Sequence, residues 1–206
     1  MERICAGTDK PDVILDEDLD HFYLNGVKVA ANDNGLEQNR VAFWNCNGWG
    51  GEMNGGKERI LAEMAAHEGV DMICVTDTRL DNYMGLRVVG KICSELKKHT
   101  GKTWTGKDIS RREDRRTGGA VILHTMDWTG VKIKEKIKYG VCVEIKGKWA
   151  GKKHTILSVY RPCMSNNDGS LRVTLELELK GKLEEVLWGV IKNPGGPFCF
   201  FWIQTA

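Results

Sequence analysis

Between residues 41 and 78 two short apolar segments flank an amphipathic one, and this arrangement constrains the fold more than any other feature of the chain. Val41 and Phe43 alternate with period 2 before the chain turns polar at Asn45-Cys46-Asn47 and meets Gly48, the pattern of a strand ending in a loop. Lys57 to Glu68 places Ile60, Leu61, Met64 and Ala65 on one helical face, and Gly69 supplies the stop. Met72-Ile73-Cys74-Val75 then forms a continuous apolar run, as a buried strand does, and ends in Thr76-Asp77-Thr78. Strand, helix, strand implies a right-handed crossover between parallel strands, so both carboxyl ends lie on one edge of the sheet. Asn45, Asn47 and Asp77 therefore converge on the edge where open sheets of this kind place their ligands.

The remaining pattern extends an α/β reading. Lys91 to Arg116 reads as a basic helix followed by a long loop, and Gly119 to His124 as another buried strand. From Val131 to Ile145 apolar residues (Val131, Ile133, Ile137, Tyr139, Val141, Val143, Ile145) alternate with Lys132, Lys134, Lys136 and Lys138, with Gly140 as a turn or bulge, which predicts two strands. His154 to Tyr160 is a strand closed by Arg161-Pro162, since proline cannot donate to a ladder. The apolar residues from Leu175 to Val190 fall at helical spacing, and Phe198 to Ile203 reads as a final buried strand. The 206 residues suit one domain. Residues 1–39, acidic and without sustained periodicity, read as a poorly ordered leader, and 40–206 as the domain proper.

Composition narrows the class. With 41% hydrophobic and 28% charged residues the chain is ordinary globular material, neither disordered nor collagenous. No apolar run is long enough to cross a bilayer and the first residues lack a signal-peptide core, which points to an intracellular protein of the cytoplasm or nucleus without a membrane partner. The seven cysteines form no C-x-x-C pair and no zinc-like cluster with histidine, so they read as reduced, mostly buried thiols. The net charge of +2 hides an asymmetry: residues 1–40 carry nine acids against four bases, 91–116 nine bases against four acids, and 131–153 eight lysines against two glutamates. A basic middle favours a polyanionic partner, with Arg111, Arg112, Arg115, Arg116, Lys132 and Lys134 as candidate nucleic-acid contacts.

Four motifs carry a resemblance. Trp44-Asn45-Cys46-Asn47-Gly48, Thr76-Asp77-Thr78-Arg79-Leu80, Gly118-Gly119-Ala120-Val121-Ile122-Leu123 and Val159-Tyr160-Arg161-Pro162 occur in the order and at the structural positions of the endonuclease/exonuclease/phosphatase superfamily. The first two look most like the endonuclease domains of retroelement proteins, those linked to reverse transcriptases. The resemblance covers about 41–203 and implies a two-sheet α/β sandwich, incomplete at the C-terminus. Where the family places a Gly-Asp-x-Asn motif, then a distant acid and an Asp-His pair, this chain has Gln204-Thr205-Ala206. It also has Asp77 where the family has a glutamate metal ligand.

By resemblance, Asn47 and Asp77 hold Mg²⁺ or Mn²⁺, Asn45 orients the site by hydrogen bonding, and Tyr160 contacts the scissile phosphate of DNA. Phosphodiester cleavage also needs a general base, and none of the five histidines lies in a recognisable pairing with a carboxylate. Each candidate has a plainer role open to it: an asparagine satisfying a turn, an aspartate capping one, a tyrosine in the core. Three readings stand: a metal-dependent endonuclease with impaired catalysis, a non-catalytic remnant with a basic nucleic-acid-binding surface, and a phosphatase or deadenylase of the same superfamily.

Overall fold

The computed structural model describes residues 13–14, 27–33, 38–49, 56–80, 82–109, 118–161, 174, 177–182, 184–185 and 198–205. In chain order the elements are β1 (Val13–Ile14), β2 (Val27–Asp33), β3 (Gln38–Asn45), α1 (Gly56–Glu68), β4 (Met72–Thr76), α2 (Asn82–Thr100), β5 (Trp104–Ile109), β6 (Ala120–Thr125), β7 (Trp128–Ile137), β8 (Cys142–Trp149), β9 (Lys152–Arg161) and β10 (Phe198–Thr205). Two five-stranded sheets result, ordered β2-β3-β4-β6-β5 and β1-β10-β9-β8-β7.

The apolar runs of β3, β4 and β6 are continuous because both faces of the first sheet are covered. Val41, Phe43, Met72, Cys74, Ala120 and Ile122 face the second sheet and meet Trp128, Val143, Ile145 and Ile156. The alternate residues Ala42, Trp44, Ile73, Val75, Val121 and Leu123 face outward onto Leu61, Met64 and Ala65 of α1 and Val88, Ile92 and Leu96 of α2. Fully buried side chains of this size each contribute about 1.5–3 kcal/mol. The layers are therefore helices, sheet, sheet.

The crossover expected from 41–78 is present. β3 and β4 pair in parallel, from Val41 opposite Met72 to Asn45 opposite Thr76, and β6 lies antiparallel on the far side of β4. α1 ends as its glycine predicts: Gly69 has φ +63° and the Val70 N–H donates to the Ala65 carbonyl at 3.0 Å, closing the last turn. Around the expected leader boundary the sheet runs on. β3 begins at Gln38, and β2 pairs antiparallel along it from Val27 opposite Trp44 to Asp33 opposite Gln38.

Residues 91–116 differ from expectation. α2 begins at Asn82, nine residues earlier, and β5 stands where a loop was expected. Gly85, Val88, Val89 and Gly90 are poor helix formers, yet Val88, Ile92 and Leu96 bury one stripe on the sheet, and tertiary packing outweighs propensity. β5 is an edge strand on β6 whose polar residues Thr105 and Lys107 face solvent. Its Gly106 permits close approach, since a Cβ there would lie 2.7 Å from Leu123 and 2.9 Å from Val89.

In the second sheet β7 and β8 form the expected pair, joined by a turn of 3₁₀ helix at Lys138–Gly140 and offset by a bulge between Glu135 and Ile137. Lys132 lies opposite Lys146 and Lys134 opposite Glu144, while Lys148 lies opposite Lys153. These residues share the outer face, because Ile145 and Ile156 occupy the inner one. β10 adds in parallel to β9, from Phe198 opposite His154 to Thr205 opposite Arg161. Helical residues within 174–185 bury Leu179 and bring Lys182 within electrostatic range of Cys142 and Glu144 on β8. At the end of the sandwich away from the carboxyl ends of β3 and β4, Arg40, Gly69, Asp71, Lys102, Asp127 and Trp149 help line an open cavity of about 700 Å³. No described helix is long and apolar enough to cross a membrane.

Candidate functional site

Three loops meet beyond the carboxyl ends of β3 and β4. The first turns at Asn45, whose Oδ1 accepts the Asn47 N–H at 3.0 Å, an asparagine closing its own turn two residues on. The second follows β4. Its carbonyls continue the parallel ladder past the strands, with Cys46 N donating to Thr76 O at 3.1 Å, Gly48 N to Asp77 O at 2.6 Å and Trp49 N to Thr78 O at 2.8 Å. The Lys57 ammonium, from the start of α1, donates to the carbonyls of Cys46 and Gly48 and pins the first loop from the helix side. The third loop precedes β6, where Thr78 N donates to Gly119 O and Arg79 N to Gly118 O at 2.9 Å.

The centre is Asp77, whose side chain is only 3% exposed. Its Oδ1 accepts the Gly118 N–H at 2.9 Å and Arg79 Nε at 3.3 Å, and its Oδ2 accepts Arg79 Nη2 at 2.8 Å. The same Nη2 donates to Asn47 Oδ1 at 2.6 Å. The hydrogen bonds it donates to Asp77 hold the Arg79 guanidinium above its ordinary pKa, and Tyr160 adds a smaller electrostatic contribution. Cys46 Sγ donates to the Thr76 and Asp77 carbonyls, and burial pushes this thiol up to about 12.

The backbone here is held in sparsely populated conformations. Among the described residues, Asn47, Asp77 and Arg79 have φ of +47°, +54° and +53°, and only one other non-glycine residue, Ala150, has positive φ. Such strain persists where surrounding structure over-determines it, and it gathers at sites. Glycine makes the crowding possible. A Cβ at Gly119 would lie 2.6 Å from Thr78 Oγ1, and one at Gly140, in the turn between β7 and β8, would lie 2.9 Å from the Gly119 carbonyl carbon.

Asn45, Asn47 and Asp77 are thus brought together. Tyr160 arrives from the second sheet: it is buried, its N–H donates to Val141 O at 2.8 Å, and its phenol acts electrostatically on Arg79. Lys132 and Lys134 do not join this cluster. They lie exposed on the outer face of the second sheet, partway along β7, remote in register from its site end at Ile137. Arg111, Arg112, Arg115 and Arg116 lie outside the described residues. Arg79 is the member that the motif conceals, since it occupies the variable position of Thr-x-Leu.

The resemblance implies a divalent metal on Asn47 and Asp77, and the donor set does not fit one. Both oxygens that would hold the ion are engaged by a single guanidinium nitrogen, and no cluster of three or more His, Cys, Asp or Glu suited to a metal occurs among the described residues. No described histidine reaches the cluster either. His67 pairs with Glu68, His99 with Glu95, His124 with the Thr125 carbonyl, and His154 packs on Trp128.

No protein-family model matches the chain, and no curated protein matches it by sequence. Solved structures do. A truncated TDP2 of Caenorhabditis elegans superimposes with a TM-score of 0.53 at 12% identity, covering 79% of this chain and 60% of that one. TDP2 of C. elegans gives a TM-score of 0.52 at 12% identity over 79% and 46%. An endonuclease/exonuclease/phosphatase family protein from Leptotrichia buccalis gives 0.41 at 15% identity over 61% and 53%. This chain therefore spans less than two thirds of the length of each. Identity this low speaks for architecture alone: the chain shares the two-sheet α/β fold of these TDP2 structures.

Proposed function

We propose that this chain is a nuclease-fold domain of retroelement type that engages the phosphodiester backbone of DNA at the carboxyl edge of its first sheet, in the cytoplasm or nucleus, with impaired hydrolysis. The observation that carries this reading is the gathering of Asn45, Asn47 and Asp77 into one hydrogen-bonded cluster. The impairment follows from the lack of a histidine at the cluster among the described residues; a missing general base costs typically about 10²–10⁴-fold. Lys132 and Lys134, with Lys146 opposite, would add sequence-independent attraction from the outer face. Arg111, Arg112, Arg115 and Arg116, between β5 and Gly118 in the chain, would add more.

A second reading, Mg²⁺- or Mn²⁺-assisted hydrolysis, is favoured by Tyr160, which the end of β9 brings, buried, within electrostatic range of Arg79. It requires Arg79 to withdraw from Asn47 and Asp77.

Anisotropy of labelled duplex DNA at rising salt, beside nicking of supercoiled plasmid with Mg²⁺, tests both. Binding should weaken steeply with salt, Lys132→Ala and Lys134→Ala should each lower the slope by about one, and nicking should be at background. Salt-insensitive binding would sink the first reading. Nicking abolished by Asp77→Ala would establish the second.

A further inference from the structure

Arg79 stands where the metal of such a site would stand. Asn47 Oδ1 and Asp77 Oδ2 converge on one nitrogen, Nη2, at 2.6 and 2.8 Å. An ion of Mg²⁺ size binds its ligands at about 2.0–2.1 Å, so an ion shared by these two oxygens would have to enter the space of that nitrogen. Nor is Arg79 a loose surface side chain. Its N–H is bonded to the Gly118 carbonyl, and its Nε completes a fork on the Asp77 carboxylate, the charge-assisted geometry that arginine provides and lysine does not. A Cβ at Gly48 would lie 3.2 Å from Arg79 Cδ, so the glycine leaves room for the arginine stem.

The fork leaves one end open. Nε and Nη2 are committed to Asp77 and Asn47, whereas Nη1 makes no hydrogen bond among the described residues and the side chain is 36% exposed. The Lys57 ammonium, from the start of α1, is a second cation against the adjoining loop, where the Glu58 carboxylate accepts the Trp49 Nε1–H. We propose that Arg79 is the resident cation of this site, replacing a divalent metal between Asn47 and Asp77 and offering Nη1 to a phosphate oxygen of a nucleic-acid backbone. The ligand named here rests on the proposed function; the exclusion of metal does not.

Two measurements separate them. In a Mn²⁺ titration followed by electron paramagnetic resonance, Arg79→Ala and the polar but uncharged Arg79→Gln should bind Mn²⁺ about tenfold more tightly than the wild type, a change of about 1.4 kcal/mol. Circular dichroism identifies any variant that has unfolded, and the pair guards against losing one. In anisotropy with a labelled single-stranded oligonucleotide, wild-type affinity should be equal in Mg²⁺ and in EDTA and should fall about tenfold in both variants. Wild-type protein that bound Mn²⁺ as tightly as the folded variants, or DNA only with Mg²⁺, would overturn the inference. Absence of DNA binding under every condition would instead overturn the proposed function, with the Mn²⁺ titration still reading the place of Arg79.

Discussion

Replacing Gly119 by alanine tests the architecture of the site more sharply than replacing any of its polar residues. Gly119 has φ +86°, and its added methyl carbon would meet Thr78 Oγ1 at 2.6 Å, Arg79 N at 3.5 Å and Ile109 O at 3.7 Å. Thr78 is fully buried and cannot swing into solvent. Left-handed backbone costs a non-glycine residue about 1–2 kcal/mol, and overpacking adds about 1–3 kcal/mol. Gly151→Ala supplies the control, because φ there is +77° but nothing lies within 4 Å; it should lose only the backbone component. Urea unfolding should therefore show Gly119→Ala less stable than Gly151→Ala by about 1–3 kcal/mol. Thr78→Ala should recover much of that difference in the Gly119→Ala background, since it removes the clashing hydroxyl, itself buried without a hydrogen-bond partner among the described residues. Equal destabilisation by the two glycine replacements, or strict additivity with Thr78→Ala, would refute the packing argument.

Burial lowers the His154 pKa below its ordinary 6.5, so its contribution is present above 6.5 and lost as the pH falls through the folded value. Stability in urea should drop from pH 7.5 towards acid, and His154→Gln should flatten that drop. Asp71 has the opposite sign: desolvation raises it above 3.8 despite Lys102 at 2.6 Å. Its contribution is present below 3.8 and lost as the pH rises through the folded value, so Asp71→Asn should remove a stability gain otherwise seen on acidification. Burial pushes the Cys46 and Cys74 thiols up to about 12 and Cys142 up to about 11, and peptide mapping after brief iodoacetamide treatment of native protein should find all three unmodified until denaturant is added.

The parts of the fold that could be read from the chain are those where periodicity and a stop signal agree. β3, α1 and β4 carry both, and a topological rule then brings Asn45, Asn47 and Asp77 to one edge without side-chain information. α2 was harder to read because Gly85 and Gly90 interrupt its first turns and only contact with the sheet makes them helical. β5 was hidden because an edge strand with an exposed face looks like polar loop. Arg79 was hidden for a different reason. A strand-end acid reads as a free ligand, although a basic residue two positions on in the same short loop is close enough to pair with it, which was the available signal that Asp77 had a cation beside it.

Gly140 and Gly119 belong to different sheets, and their backbones touch with no room for a methyl group between them. Backbone against backbone is a stiff junction, because neither partner has a rotamer to change. The opposite end of the sandwich has a wide cavity between Asp71 and Trp149 instead. The two sheets are thus joined at both ends, by this backbone contact at the edge that carries Asp77 and by the two-residue turn Met126–Asp127 from β6 to β7 beside the cavity. The crossover turn can flex about its own backbone dihedrals, whereas the glycine contact cannot, so the three loops around Arg79 should keep their geometry through fluctuations that widen the cavity at the far end.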